Sequence, residues 1–169
     1  STRARKPAEA APRRMGTLAT LPVFLPLAGR RVVVAGGTAA AAWKCELIAA
    51  AGAIVDVYAD ALAPEMSELL ARADVMRPIT DHARCWSADD LGGAALALAD
   101  AEDDTEATAF FDAARARGVP VNVIDRPAFC QFQFGSIVNG SPVVIGISTD
   151  GTAPILAQAS IAMTCSGTF

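Results

Sequence analysis

The residues best placed to do chemistry are Gly36, Gly37, Thr38, Ala39, Ala40 and Ala41. A short β-branched run, residues 31–35, leads into them, and an alanine-rich stretch, 39–51, leads away. Strand, glycine turn and helix in that order form a dinucleotide-binding context. The first glycine makes the tight turn. The position of Ala41 must be small so that helix and strand can pack. The helix N-terminus offers unpaired N–H groups to a pyrophosphate. Thr38 stands where a second glycine would allow closest approach, and its hydroxyl could compensate by hydrogen bonding. A plain tight turn that needs small residues is the competing interpretation.

A ribose-binding acid is expected about 20 residues further on. Asp56 has the right distance but falls inside the second strand. Asp60 falls just past the strand end and is preferred, although a loop or capping aspartate would look the same. The scarcity of arginines nearby favours NAD over NADP. Asp125 ends a later apolar strand, where open α/β sheets bind ligands. Asp125 also precedes Arg126-Pro127, a common turn start. His82 is the single histidine and sits in a polar stretch, so it is expected to be a surface loop residue. Cys45, Cys85, Cys130 and Cys165 are scattered without metal-ligand spacing and are expected to be free, mostly buried thiols.

The elements that must hold these groups alternate strand and helix. Strands are expected over 31–35, 54–58, 75–79, 94–99 and 121–124, with helices over 39–51, 64–72 and 105–117. Ser87-Ala88-Asp89-Asp90 is expected to be an N-cap with a nearby acid in the first turn. This order predicts an α/β fold, a Rossmann-like doubly wound parallel sheet. Past Asp125 the rhythm changes: strands over 132–138 and 143–147 flank Asn139-Gly140, a hairpin turn signal. The expected domains are a disordered basic tail (1–19), an NAD-binding Rossmann domain (20–130) and a small α+β dimerisation segment (131–169).

Apolar residues make up 53% of the 169, enough for a full core. No apolar run approaches the roughly 18 residues of a membrane span. The net charge of −4 hides a basic first fifteen residues on an acidic body, which argues against a nucleic-acid face. A soluble cytoplasmic protein, with neither membrane nor nucleic acid as partner, is expected.

Several segments together resemble a known family: LPVFLPLAGRRVVVAGG at 21–37, Lys44, the acidic loop leading to Thr105, NVID at 122–125 and STDGTAPILA at 148–157. In this order they are similar to the N-terminal region of siroheme synthases, the precorrin-2 dehydrogenase and sirohydrochlorin ferrochelatase family. The resemblance covers roughly residues 20–158. It implies NAD-dependent oxidation of precorrin-2 to sirohydrochlorin, then insertion of ferrous iron, a substrate, to give siroheme. It implies a homodimer and a tetrapyrrole substrate. Gly36, Gly37, Thr38, Ala39, Ala40, Asp60, Ala61 and Ala101 then fall on the cofactor; the family usually has threonine where Ala101 stands. Asp125 falls on the catalytic carboxylate, a general base for the macrocycle's protons. Arg126 could meet a substrate carboxylate through its planar fork, and Ser148 and Thr149 could line the substrate crevice; ordinary surface and turn roles compete for each. Phe129 and Phe132 could pack on a flat ring or serve the core.

The chain also departs from the family. Ala42 and Trp43 replace polar residues, and residues 159–169 contain no Lys or Arg where the family continues as a basic helical region. The dimerisation segment is therefore expected to be truncated. A non-catalytic NAD- or tetrapyrrole-binding remnant is the alternative, and an unrelated Rossmann oxidoreductase acting on a small substrate is a third.

Overall fold

The computed structural model describes residues 14–73 and 78–148. Most of the expected basic tail, Thr149 and everything after it lie outside the described residues, as does Cys165.

Five parallel strands form the sheet: β1 (Arg31–Ala35), β2 (Ile54–Tyr58), β3 (Ile79–Asp81), β4 (Leu96–Ala99) and β5 (Val121–Val123), in the order β3-β2-β1-β4-β5. Past Arg31 the neighbouring central strands β1 and β4 are apolar because helices cover both faces; Val32, Val33 and Val34 are fully buried. Helices α1 (Ala39–Ala50) and α2 (Pro64–Ala71) cover one face through Ala41, Cys45, Ile48, Met66 and Leu69. Helix α3 (Asp104–Ala116) covers the other through Ala107, Phe110 and Ala114, an i, i+3, i+7 stripe. This is a doubly wound, Rossmann-like sheet. The chain reverses its direction of winding between β1 and β4, which are hydrogen-bonded neighbours. The crevice at their carboxyl ends is the place such a sheet offers a ligand.

Local chemistry sets the element ends. Thr38 caps α1 by accepting from the Ala41 N–H at 3.1 Å. Asp103 caps α3 by accepting from Glu106 N–H at 2.8 Å, and Glu106 reaches back to Glu102 N–H. Pro64 opens α2, where a missing N–H costs nothing. Ser87 and Asp90 form a reciprocal capping box on a single 3-10 turn, Ala88–Leu91.

Two expectations need correction, and a third falls partly outside the described residues. The third strand is described as Ile79–Asp81; residues 75–77 of the expected 75–79 lie outside the described residues, and the Pro78 carbonyl accepts from Val55 N–H. The strand expected over 132–138 is Ser136–Gly140 (β6), because Phe132 and Phe134 instead pack on the α1 side of the core. Its hairpin partner is β7 (Val143–Ile147), and the turn is Ser141-Pro142, not Asn139-Gly140. A proline cannot donate to the ladder, so the loop forms around it and Asn139 and Gly140 stay paired.

Residues 24–134 form one compact unit and the hairpin belongs to a second. In the hairpin, Ile137, Val143 and Val144 are exposed apolar side chains. A two-stranded ribbon is marginal alone. Among the described residues no helix is long and apolar enough to cross a membrane.

Candidate cofactor and substrate site

The turn after β1 is held from both sides. Gly36 N–H donates to the Tyr58 carbonyl, the Gly37 carbonyl accepts from Ala63 N–H, and Asp100 N–H donates to the Ala35 carbonyl. Gly36 has φ +120°, and a Cβ there would lie 3.2 Å from the Asp100 Cβ. A Cβ on Gly37 would collide with the Ala61 carbonyl. Both glycines are therefore required by close approach of neighbouring loops, and the turn they make leaves the first amides of α1 facing outward.

A cleft of about 460 Å³ opens above this turn, within the usual range for small-molecule sites. Gly36, Gly37 and Thr38 floor it after β1, Tyr58 to Ala63 wall it after β2, and Cys85 and Trp86 close one side. Asp100, Glu102 and Glu106 line the remaining side. The expected Asp60 and Ala61 are thus both in the cleft with the glycine turn. Ala39 and Ala40 are exposed in the first turn of α1, and Ala101 is buried beside the cleft wall.

Asp56 is engaged elsewhere. It accepts from Arg31 Nε at 2.5 Å and pairs with His82 Nε2 at 3.0 Å. Burial alone would raise its pKa, but the bonds from His82 and Arg31 bring the net shift downward. His82 stacks on Tyr58, ring centroids 4.4 Å apart and ring planes nearly parallel. His82 is an exposed residue just past β3, the surface loop residue expected, and it also joins a polar cluster with Asp56, Arg31 and Tyr58. Asp60 instead accepts from the Cys85 thiol at 2.8 Å. That bond holds the thiol proton and raises its pKa. Cys45 is buried, Cys130 intermediate and Cys85 exposed, so one of the three described thiols is buried where most were expected to be.

The cleft's charge is one-sided. Asp60, Asp100, Glu102 and Glu106 line it, and among the described residues neither lysine nor arginine does. A dinucleotide whose adenosine ribose carries free hydroxyls fits such a wall, since a carboxylate accepts from them. A 2′-phosphate would meet uncompensated negative charge. Trp86 offers an apolar edge, itself braced edge-on against Phe110 at 4.9 Å.

Asp125 stands just past β5 with φ +58°. Aspartate tolerates this left-handed conformation better than most residues. Its carboxylate is exposed, outside the lining of the nucleotide cleft, on the side facing Lys44, whose charge it stabilises. Arg126 points the other way. Its guanidinium donates to the Ala101 carbonyl at 3.3 Å and the Glu102 carbonyl at 2.9 Å, and pairs with Asp104. It therefore tethers the loop that leads from β4 into α3. Ser148 follows β7 in the hairpin unit, and Thr149 lies outside the described residues. Phe129 packs edge-on against Phe111, and Phe132 against Phe134.

Sequence reasoning missed Asp100, Cys85 and Trp86. Asp100 had a signal: it is the first residue past β4, the strand beside β1. Cys85 and Trp86 had none, because they reach the cleft through an irregular loop.

Comparison with known proteins agrees with this geometry. Residues 23–136 match a family described as "Putative NAD(P)-binding". Siroheme synthases from Nitrosomonas europaea and Thiobacillus denitrificans are each 40% identical over 138 residues, and one from Ectopseudomonas mendocina is 37% identical over 138. Each match covers 82% of this chain, but the chain spans only 28–29% of those relatives' length. A solved structure titled SirC, precorrin-2 dehydrogenase, superposes with a TM-score of 0.69 over 89% of this chain and 72% of its own, at 21% identity. At that identity the likeness speaks for the fold.

Proposed function

This chain belongs to the NAD(P)-binding family that its residues 23–136 match, and from that premise we propose that it oxidises precorrin-2 to sirohydrochlorin with NAD. The observation that carries the proposal is the joint placement of the glycine turn and Asp60 in one cleft at the β1–β4 switch point, in a chain 40% identical to siroheme synthases. NAD, when bound, supplies the hydride acceptor. Gly36 and Gly37 let the backbone approach its pyrophosphate, and the Ala39 and Ala40 amides face that group. Asp60 accepts from the adenosine ribose. The acidic wall selects NAD over NADP.

Loss of a hydride from the macrocycle leaves a proton to be removed, and Asp125 is the carboxylate proposed to take it. Its exposure and its place at the carboxyl edge of the sheet suit a base that must reach a large flat substrate. Iron insertion likewise requires loss of pyrrole protons, which the same carboxylate would accept; ferrous iron is then the substrate of a second step. Arg126 contributes by fixing the loop that carries Ala101. Ser148 and Thr149 are assigned to the substrate on the family resemblance alone. The exposed apolar side chains of the hairpin favour pairing with a second copy of the chain, so a homodimer is part of the proposal.

Incubation with precorrin-2 and NAD tests the reading. NADH absorbance should rise with sirohydrochlorin, and addition of ferrous iron should give the siroheme spectrum. NADH formation without a siroheme spectrum would confine the protein to the dehydrogenase step. NAD binding without any turnover would favour a binding module instead.

A further inference from the structure

Lys44 occupies an unusual position for a lysine in the second turn of a helix. Its ammonium lies 4.2 Å from the centroid of the Phe134 ring and 4.9 Å from that of Trp43. Two aromatic faces hold the cation by their quadrupoles. The side chain is half-buried. Burial pushes its pKa below the usual lysine range, with Asp125 and Cys130 pulling it partly back. The described residues nevertheless place no carboxylate within salt-bridge distance: the ion pairs among them join Arg31 and His82 to Asp56, Arg84 to Asp90, Arg117 to Asp89 and Arg126 to Asp104. A partly desolvated cation without a contacting anion is costly unless a ligand completes it.

The surroundings say what kind of ligand. Asp125 is close enough to Lys44 to influence its charge. Trp43, next to Lys44, exposes 57% of its surface, a large flat apolar face on the same helix. A base, a cation and an exposed indole together suit a planar molecule that carries carboxylates on its rim.

Resting on the reading of Asp125 given above, we propose that Lys44 is the anchor for a peripheral carboxylate of the tetrapyrrole, with Trp43 against the macrocycle. The role expected of Arg126 from the sequence passes to Lys44, because the Arg126 guanidinium is spent on the 101–104 loop. Lys44 sets where the ring lies relative to Asp125; it takes no part in moving the proton.

The test compares Lys44→Met and Lys44→Arg with the parent protein, using precorrin-2 for turnover and sirohydrochlorin for binding. Sirohydrochlorin binding is read by quenching of tryptophan fluorescence. Lys44→Met should raise KM, and the Kd for sirohydrochlorin, about tenfold or more, while kcat and NAD affinity stay near the parent values. Lys44→Arg should recover most of the loss, which also shows that the Met variant's defect is one of charge and not of folding. The permethyl ester of sirohydrochlorin, which lacks the charges, should bind the parent and Lys44→Met equally. Unchanged KM and Kd in Lys44→Met overturn the proposal, and so does a fall in kcat at constant KM. If the parent binds sirohydrochlorin but does not turn over precorrin-2, the function assigned to Asp125 fails while the binding series still decides the role of Lys44.

Discussion

The Thr38 hydroxyl donates to the Asp100 carboxylate across the mouth of the glycine turn, while its oxygen caps α1 by accepting from Ala41 N–H. The two residues are 62 positions apart in sequence and are brought together by the β1–β4 register, in which Ala35 faces Ala99. The contact puts a negative charge beside the amides proposed to hold a pyrophosphate. Removing that charge should help the cofactor. Asp100→Asn is expected to tighten NAD binding about twofold to fivefold, the effect of one charge near a helix end. The gain should shrink at high ionic strength. Titration calorimetry at two salt concentrations checks both statements. Weaker binding in the variant would mean that Asp100 accepts a bond from the cofactor itself. Thr38→Ala should cost about 1 kcal/mol of stability through loss of the cap.

Arg126 ties three points of the 101–104 loop to the end of β5 with one guanidinium that is 26% exposed. Only the two carbonyl bonds weigh heavily, since Asp104 is 79% exposed and its pairing is screened. Arg126→Ala should lower stability by about 1–3 kcal/mol and weaken NAD binding, because the released loop carries Ala101, Glu102 and the start of α3. Arg126→Lys should rescue little, since an ammonium cannot span the fork's acceptors. Urea denaturation and NAD titration on the same samples measure the two effects. A KM defect for substrate with unchanged stability would return Arg126 to the substrate.

How much of this could be read beforehand depends on how far apart the partners are. The β1 run and Gly36 announce themselves because strand, turn and helix are local and the chemistry of each is carried by adjacent residues. The preference for Asp60 over Asp56 was legible from the strand's end, and the structure places Asp60 in the cleft and Asp56 in an ion-pair cluster. What was not legible depends on register. Neither the Thr38–Asp100 bond nor the stacking of His82 on Tyr58 leaves a trace in composition. The hairpin turn was misplaced because Asn139-Gly140 is the stronger turn dipeptide in isolation, while Pro142 decides where the ladder cannot continue.

Thiol chemistry should separate Cys85 from Cys45. Cys45 is buried and its pKa is pushed up to about 12, so it should resist iodoacetamide in the folded protein. Cys85 is exposed and should react, but slowly at neutral pH, because Asp60 holds its proton. Saturating NAD should protect it, and Asp60→Asn should speed labelling several-fold by releasing the thiol. Peptide mapping after timed alkylation reads each site. Protection of Cys85 that survives loss of NAD binding would detach it from the cofactor cleft.

Acid should weaken the segment around the 3-10 turn Ala88–Leu91. Arg84 grips Asp90 with two bonds of 2.7 and 2.8 Å, and Ser87 adds two more. The Arg84 bonds, then those from Ser87, hold the Asp90 carboxyl well below the usual range. A depressed folded pKa contributes stability that is present above the unfolded value near 3.9 and is lost as pH falls toward the folded one. Asp90→Asn should therefore lower Tm at pH 7, and the gap between variant and parent should narrow as pH drops below about 4. A gap that stays constant to pH 2 would assign the loss to the capping geometry and not to charge.

Asp125 allows stability and chemistry to be separated at one position. Its φ of +58° costs a residue with a Cβ about 1–2 kcal/mol in general, less for Asp and Asn, and almost nothing for Gly. Asp125→Ala should therefore lose about 1 kcal/mol of stability as well as turnover, which makes it ambiguous alone. Asp125→Asn keeps the shape and the backbone tolerance but cannot accept the proton, so it should fold like the parent and lose about 10²- to 10⁴-fold in rate. Asp125→Gly should be at least as stable as the parent and equally inactive. NAD affinity should be unchanged in all three, because the carboxylate is outside the nucleotide cleft. Denaturation midpoints alongside initial rates of NADH formation give the comparison. If Asp125→Asn turns over at the parent rate, the left-handed aspartate is a turn residue and the base lies elsewhere.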